Sequence, residues 1–248
     1  MRHTVRPFAG GLFVALLAAP TPTLAQTPTP PAPAWTQTAS AGLALTSGNK
    51  DTSTLNLGFE LVHDPGTRNR VKADGLYLRG ESEGERTADR LGLNGRDEFR
   101  LRDRSYIFGQ LQFLQDEFKN IDYLFAPAGG VGYRLVDGEA TKLSVDGGLG
   151  GVWEKAPLST VEGSGAVTLS EKLSHRISAS AMLTQSAAAL YKTRDFGDAL
   201  YTFGSALTAS VTARTQLKVE LLDTYKRLVP PGIENNDVAL IVGMVFKR

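Results

Sequence analysis

The chain contains no cysteine, and that absence removes several possibilities at once. There is no disulfide framework, no thiol chemistry, and no thiol to carry a lipid anchor at an export cleavage site. An excess of one charge is missing too. The 27 lysines and arginines face 26 aspartates and glutamates, which leaves no electrostatic case for nucleic acid. No segment after the N-terminus approaches about 18 consecutive apolar residues, so no transmembrane helix is expected. Histidine occurs three times, and helical periodicity is scarce.

What is present begins with MRHTVRPFAGGLFVALLAAPTPTLAQ. Arg2 and Arg6 precede an apolar run from Phe8 to Ala19, and small residues lead to a cleavage point after Ala25. This is the pattern of a secretory signal peptide, too short to cross a bilayer as a helix. Residues 1–25 are expected to direct export and be removed. That removal takes away Arg2 and Arg6, leaving 25 basic residues (27 less 2) against 26 acidic ones. Residues 26–34, containing TPTPPAPA, read as an extended proline-rich spacer. Residues 35–248 read as the folded domain.

From Trp35 onward the dominant period is two. Leu43 and Leu45, then Leu55, Leu57, Phe59 and Leu61, alternate with Thr46, Asn56, Gly58 and Glu60 around a polar turn at Gly48–Asp51. Ten further segments repeat the pattern, ending with Leu240, Val242, Met244 and Phe246. About twelve strands are expected, most of about ten to fourteen residues.

Two architectures accommodate such strands. A soluble sandwich buries the apolar phase, whereas a membrane barrel turns it to lipid and keeps the polar phase in its lumen. The strands are longer than the usual globular five or six residues, and about 9–11 tilted residues cross a membrane. Turns at 64–69, 102–105, 136–140, Ser174–His175 and 212–215 are short, while 80–89, 190–198 and 228–237 are longer and lie at the other end. Trp35, Phe99, Tyr123, Tyr133, Trp153, Tyr225 and Phe246 fall near strand ends, as an interfacial girdle requires. The fold expected is therefore all-β, an antiparallel up-and-down transmembrane β-barrel of about 12 strands. One residue conflicts with this phase. Asp97 lies in the lipid phase of the fourth strand unless Gly95 marks a bulge or the residue sits near the interface.

The stretches LALTSGNKDTST, IDYLFAPAGGVGYRL, LSEKL and the closing NNDVALIVGMVFKR resemble domain-of-unknown-function family 481, the salt-induced outer-membrane proteins. The resemblance extends over essentially all of the chain after the spacer. It implies a barrel in the outer membrane of a Gram-negative bacterium and supplies no catalytic or binding residues. Outer-membrane lipid, lipopolysaccharide and the barrel-assembly machinery are the partners this implies. In one departure from barrels of this kind, Lys247 and Arg248 follow Phe246 where a terminal aromatic usually closes the chain.

Chemistry is sparse along the chain. His63 and His175 fall at periplasmic strand ends, away from outer loops where a serine–histidine pair would act, and they form no metal constellation. GGVGYRL and DGGLGGVW resemble phosphate loops but precede strand and turn instead of a helix. The DFG at 195–197 lacks every companion of the kinase set. Glu81, Glu83 and Glu85 read either as a cation site shared with lipopolysaccharide or as a solvated acidic loop. No enzyme activity, cofactor or metal is expected.

The inward phase is more informative. It supplies Glu60, Lys72, Asp74, Arg90, Arg96, Glu98, Arg100, Asp146, Glu162, Lys218 and Glu220, with Gln110 and Gln112 beside the arginines of the fourth strand. Arg90, Arg96 and Arg100 on one wall read as an anion-selecting ladder, or else as part of an ion-pair network that holds a narrow barrel together. Two functions follow. One is a narrow or gated pore for small polar or anionic solutes. The other is a closed structural barrel contributing to envelope integrity or osmotic tolerance.

Overall fold

The computed structural model describes residues 34–47, 52–82, 85–229 and 231–247. The expected signal peptide, nearly all of the spacer and the turn at Gly48–Asp51 lie outside the described residues. The chain forms β1 (Trp35–Ser47), β2 (Thr52–His63), β3 (Asn69–Ser82), β4 (Glu85–Arg100), β5 (Ser105–Asp116), β6 (Ile121–Asp137) and β7 (Thr141–Lys155). It continues as β8 (Glu162–Arg176), β9 (Ala181–Lys192), β10 (Asp195–Ser210), β11 (Thr215–Lys226) and β12 (Asn236–Lys247). Among the described residues one 3-10 turn, Glu117–Lys119, follows β5. Each strand pairs antiparallel with its chain neighbours, and β1 pairs with β12 to close a twelve-stranded barrel.

The alternation sets which face each strand presents. Leu55, Leu57, Phe59, Leu111, Leu149, Leu169, Leu207 and Val242 are exposed on the outer wall, as an apolar belt in lipid requires. Trp35, Phe99, Tyr133 and Phe246 mark the end of the belt beside the termini, and Phe125, Trp153 and Tyr225 mark the other. At that second end Tyr191, Tyr201 and Tyr225 form a contiguous aromatic row, with ring centroids 5.7 and 5.9 Å apart.

Short turns at the termini end mark the periplasmic side in this class. Three are closed by the same device, a side-chain oxygen that takes up backbone N–H groups the hairpin leaves over. Asp64 Oδ1 accepts from Gly66 N, Ser178 Oγ from Ser180 N and Ala181 N, and Thr212 Oγ1 from Arg214 N and Thr215 N. Ser178 explains one departure from the sequence expectation. The turn falls at 177–180, not at Ser174–His175, and β8 runs on to Arg176.

The long outer segments also differ from expectation. Residues 190–198 are no loop: β9 continues to Lys192 and β10 starts at Asp195, with a register shift between Asp195 and Ala199. Strand pairing likewise occupies most of 80–89, leaving only 83–84 undescribed. Backbone pairing continues past the belt because each extra residue adds ladder bonds.

Asp97 faces outward, and Gly95 makes no bulge; the register from Arg96 to Glu98 is continuous on both sides. The residue lies two positions before the girdle residue Phe99, close to the periplasmic interface. Asp97→Leu should therefore raise barrel stability by only about 1 kcal/mol or less, measured by urea titration in vesicles. A gain of several kcal/mol would place this carboxylate deep in the belt instead.

Candidate functional site

The lumen divides into an open periplasmic half and a filled outer half. In the outer half, side chains from opposite walls meet. Arg90 on β4 donates from Nη1 to Thr224 Oγ1 on β11 at 2.8 Å and lies 3.7 Å from Asp116. Lys119, on the 3-10 turn, donates to the Glu234 carbonyl at 2.9 Å and lies 3.1 Å from Asp237. Lys226 on β11 pairs with Glu154 on β7. Lys192 lies 2.8 Å from the same carboxylate and also pairs with Asp198.

Lys119 and Thr224 are each only 1% exposed, so the centre of this layer is closed to solvent, while Asp198 and Asp237 at its edge stay partly exposed. Around it pack Leu114, Ile121, Leu124, Ala126, Val152, Ala166, Leu190 and Leu200, and on the other wall Leu78, Ala239 and Ile241. The result is a plate of crossed ion pairs set in apolar side chains. Burying charges this way is tolerable only because each has a partner at hydrogen-bond distance.

The periplasmic half is a water-accessible vestibule. Lys72 bridges Glu60 at 2.8 Å and Asp74 at 3.5 Å, and Asp74 also accepts from Asn94 Nδ2 at 2.9 Å. The Lys72 and Glu60 side chains remain 38% and 44% exposed. Lys218 pairs with Glu220 at 2.6 Å. Gln112 stands in register with Asn94 on the same wall.

Arg96 is the most committed of the inward cations. Its Nε reaches Glu98 at 2.7 Å, Nη1 reaches Gln110 at 2.9 Å and Nη2 reaches Asp146 at 2.8 Å. Its guanidinium stacks 3.9 Å from the Phe108 ring centroid, worth about 0.5–2 kcal/mol. Asp146 also accepts from Ser170 at 2.6 Å.

The glycines of GGVGYRL and DGGLGGVW make this arrangement possible. Phe108 stands in register with Gly130, and Tyr106 with Gly132. A Cβ on Gly130 would lie 2.8 Å from Phe108 and 2.1 Å from the Gly147 carbonyl; one on Gly132 would lie within 2.5 Å of the Tyr106 ring. The rings lie against a wall without side chains, and Arg96 packs on the far side of Phe108.

The arginines of β4 therefore do not form one ladder of free charge. Arg90 belongs to the plate, Arg96 is bound to two carboxylates, and Arg100 stands at the periplasmic end with Nε buried and unpartnered. Glu162 lies on the exposed outer rim beside Glu154. Glu81 pairs with Arg79 at 3.1 Å; Glu83 and the side chain of Glu85 are outside the described residues. His63 stacks on Trp35 at 4.4 Å, and a His175 ring nitrogen meets Thr141 Oγ1 at 2.8 Å.

Glu154, Lys192 and Lys226 are absent from the inward set read from the sequence, although all three fall on the inward phase of their strands. Lys119 lies outside any alternating segment and had no periodic signal to reveal it.

The closed meander, apolar belt and polar lumen define an outer-membrane β-barrel of the porin-like class. Solved structures agree on the fold. The NanC porin superposes with a TM-score of 0.57 at 10% identity, over 84% of this chain and 98% of that one. The translocator domain of the autotransporter NalP from Neisseria meningitidis gives 0.53 at 14% identity, over 87% and 88%. The chain belongs to the family described as protein of unknown function, DUF481, whose sequence profile matches residues 39–247. No curated protein matches the sequence.

Proposed function

We propose that the protein is exported to a Gram-negative outer membrane and acts there as a gated channel for small polar solutes bearing an anionic group. The observation that carries this reading is the form of the closure. A water-accessible polar vestibule ends at a plate made of side chains, which rotamer changes can part. The vestibule charges support the preference for anions. Glu60, Asp74, Glu98, Asp146 and Glu220 are all ion-paired. Arg100 and Lys172 are among the inward cations that form no close ion pair with a carboxylate among the described residues, although Asp146 and Glu98 lie near enough to Lys172 to attract it. They are the groups available to a solute carboxylate or phosphate.

The crossed pairs themselves favour the second reading, a permanently closed barrel with a mechanical role. Planar-bilayer recordings separate the two. The native protein should be mostly silent, and a variant with Arg90, Lys119 and Lys226 all replaced by alanine should open to a steady, anion-leaning conductance. Adding Arg100→Ala and Lys172→Ala should then abolish the anion preference. A folded, inserted plate variant that stays silent establishes the closed barrel.

A further inference from the structure

The outer wall is not apolar throughout. On β8, β9 and β10, Glu171, Gln185 and Ser205 share the phase of exposed Leu169 and Leu207 and so face lipid. Gln185 is the direct cross-strand partner of Ser205, and Glu171 pairs with Ala187, one diagonal step from Gln185. Ala181, Ala187 and Ala189 surround them on the same face. None of the three polar side chains has a hydrogen-bond or ion-pair partner among the described residues.

Their strand positions set them inside the girdle, on the lipid-facing wall. Glu171 lies five positions before the end of β8 (176 − 171). At about 3.3 Å per residue and a tilt of about 40° that is about 13 Å from the turn, which puts Glu171 inside the periplasmic girdle, on the periplasmic side of a belt about 25 Å tall. Long lysine and arginine side chains snorkel over part of such a distance, but glutamate is too short. Hydrocarbon offers no hydrogen-bond partner, and an ionisable group at this depth is retained where another protein surface meets it.

We propose that this patch is the interface for a second copy of the chain. The chemistry of the patch is self-complementary. Gln185 donates from its amide, Glu171 accepts at its carboxylate, and Ser205 does both. A two-fold axis through the patch would set each Gln185 against the partner's Glu171, as an isologous contact requires. Ala187 and Ala189 leave room above Gln185 for close approach, while Leu173 and Leu221 flank the polar residues and would pack across the seam. Elsewhere on the wall, Leu55, Leu57, Phe59, Leu111 and Val242 suit lipid alone, and the outward carboxylates Asp97 and Asp223 each stand two positions from a girdle residue, Phe99 and Tyr225. This inference needs only the barrel in its membrane and is independent of whether the lumen conducts.

The absence of cysteine gives a clean test. Gln185→Cys and Ser205→Cys, oxidised in outer-membrane vesicles, should each give a disulfide-linked product of twice the chain mass. The yield should be about tenfold above that of Leu57→Cys on the opposite wall, the ratio expected from about 1.4 kcal/mol of preferred association. Equal yields at all three positions, monomer alone, or a product of another mass would each overturn the assignment. A second measurement leaves the patch free of new thiols. Glu171→Leu should weaken dimerisation in vesicles about tenfold by energy transfer, since it removes both symmetry-related bonds. Cold electrophoresis verifies that the variant barrel is folded, and an unchanged dimer then refutes the proposal.

Discussion

Glu154→Gln is expected to lower the unfolding free energy of the inserted barrel by about 3–5 kcal/mol, because it strips the partner from buried cations. Lys226 pairs with this carboxylate alone, Lys192 shares it with Asp198, and the apolar cluster of Leu124, Leu190 and Leu200 beside it offers no polar replacement. The control removes the whole network. With Glu154, Lys192, Asp198 and Lys226 replaced together by leucine or methionine, stability should be equal to the native value or higher, as for buried ion pairs exchanged for packed hydrophobes. Urea titration of the protein in vesicles reads both. A neutral single variant would mean that water reaches Glu154 and that the plate is not sealed.

Gly130→Val should be at least as damaging, with a loss above about 4 kcal/mol or failure to assemble, because the site admits no side chain. The added atoms would collide with the Gly147 carbonyl and the Phe108 ring together, so no rotamer relieves the clash. Its chain neighbour provides the comparison. Gly129 faces outward, its nearest contact for a Cβ is the Phe108 carbonyl at 3.5 Å, and Gly129→Ala should change stability by about 0.5 kcal/mol. Phe108→Ala, emptying the space against the glycine wall, should cost about 3–5 kcal/mol. If the two glycine variants behave alike, the glycines serve backbone curvature and not the seating of the aromatic rings.

The barrel was legible in the sequence because period two survives any choice of partner strand. Leu55, Leu57 and Phe59 point one way whatever they pair with, and short turns force neighbours to pair. Lumen contacts are not legible in the same way. Periodicity puts Arg90 and Thr224 on the inner face but says nothing about whether their tips meet across the interior. That depends on barrel diameter and on how far each side chain reaches. An inner phase expected to be polar gives no sign of Phe108, which packs against Arg96, or of Leu114, Leu124, Leu190 and Leu200, which surround the plate in the outer half. A signal existed in LQFLQ, where Leu111, Phe113 and Leu114 put apolar residues on both faces of one strand. Glu171 and Gln185 fall on the apolar phase between leucines, and period two alone does not separate them from their neighbours.

The contact between Arg90 and Thr224 joins residues 134 positions apart, and Lys119 reaches 115 positions along the chain to Glu234. Neither can form in a growing sheet, because the walls face each other only after β1 has zipped to β12. Closure entropy is thus spent first and rewarded late, which makes such topologies slow to complete. The crossed pairs consequently act as a record of assembly. A barrel still open at its seam leaves Lys119, Lys192 and Lys226 accessible to trypsin, while a sealed one withdraws them. Resistance to that protease should appear as the last event of insertion, after the strands themselves are already in place.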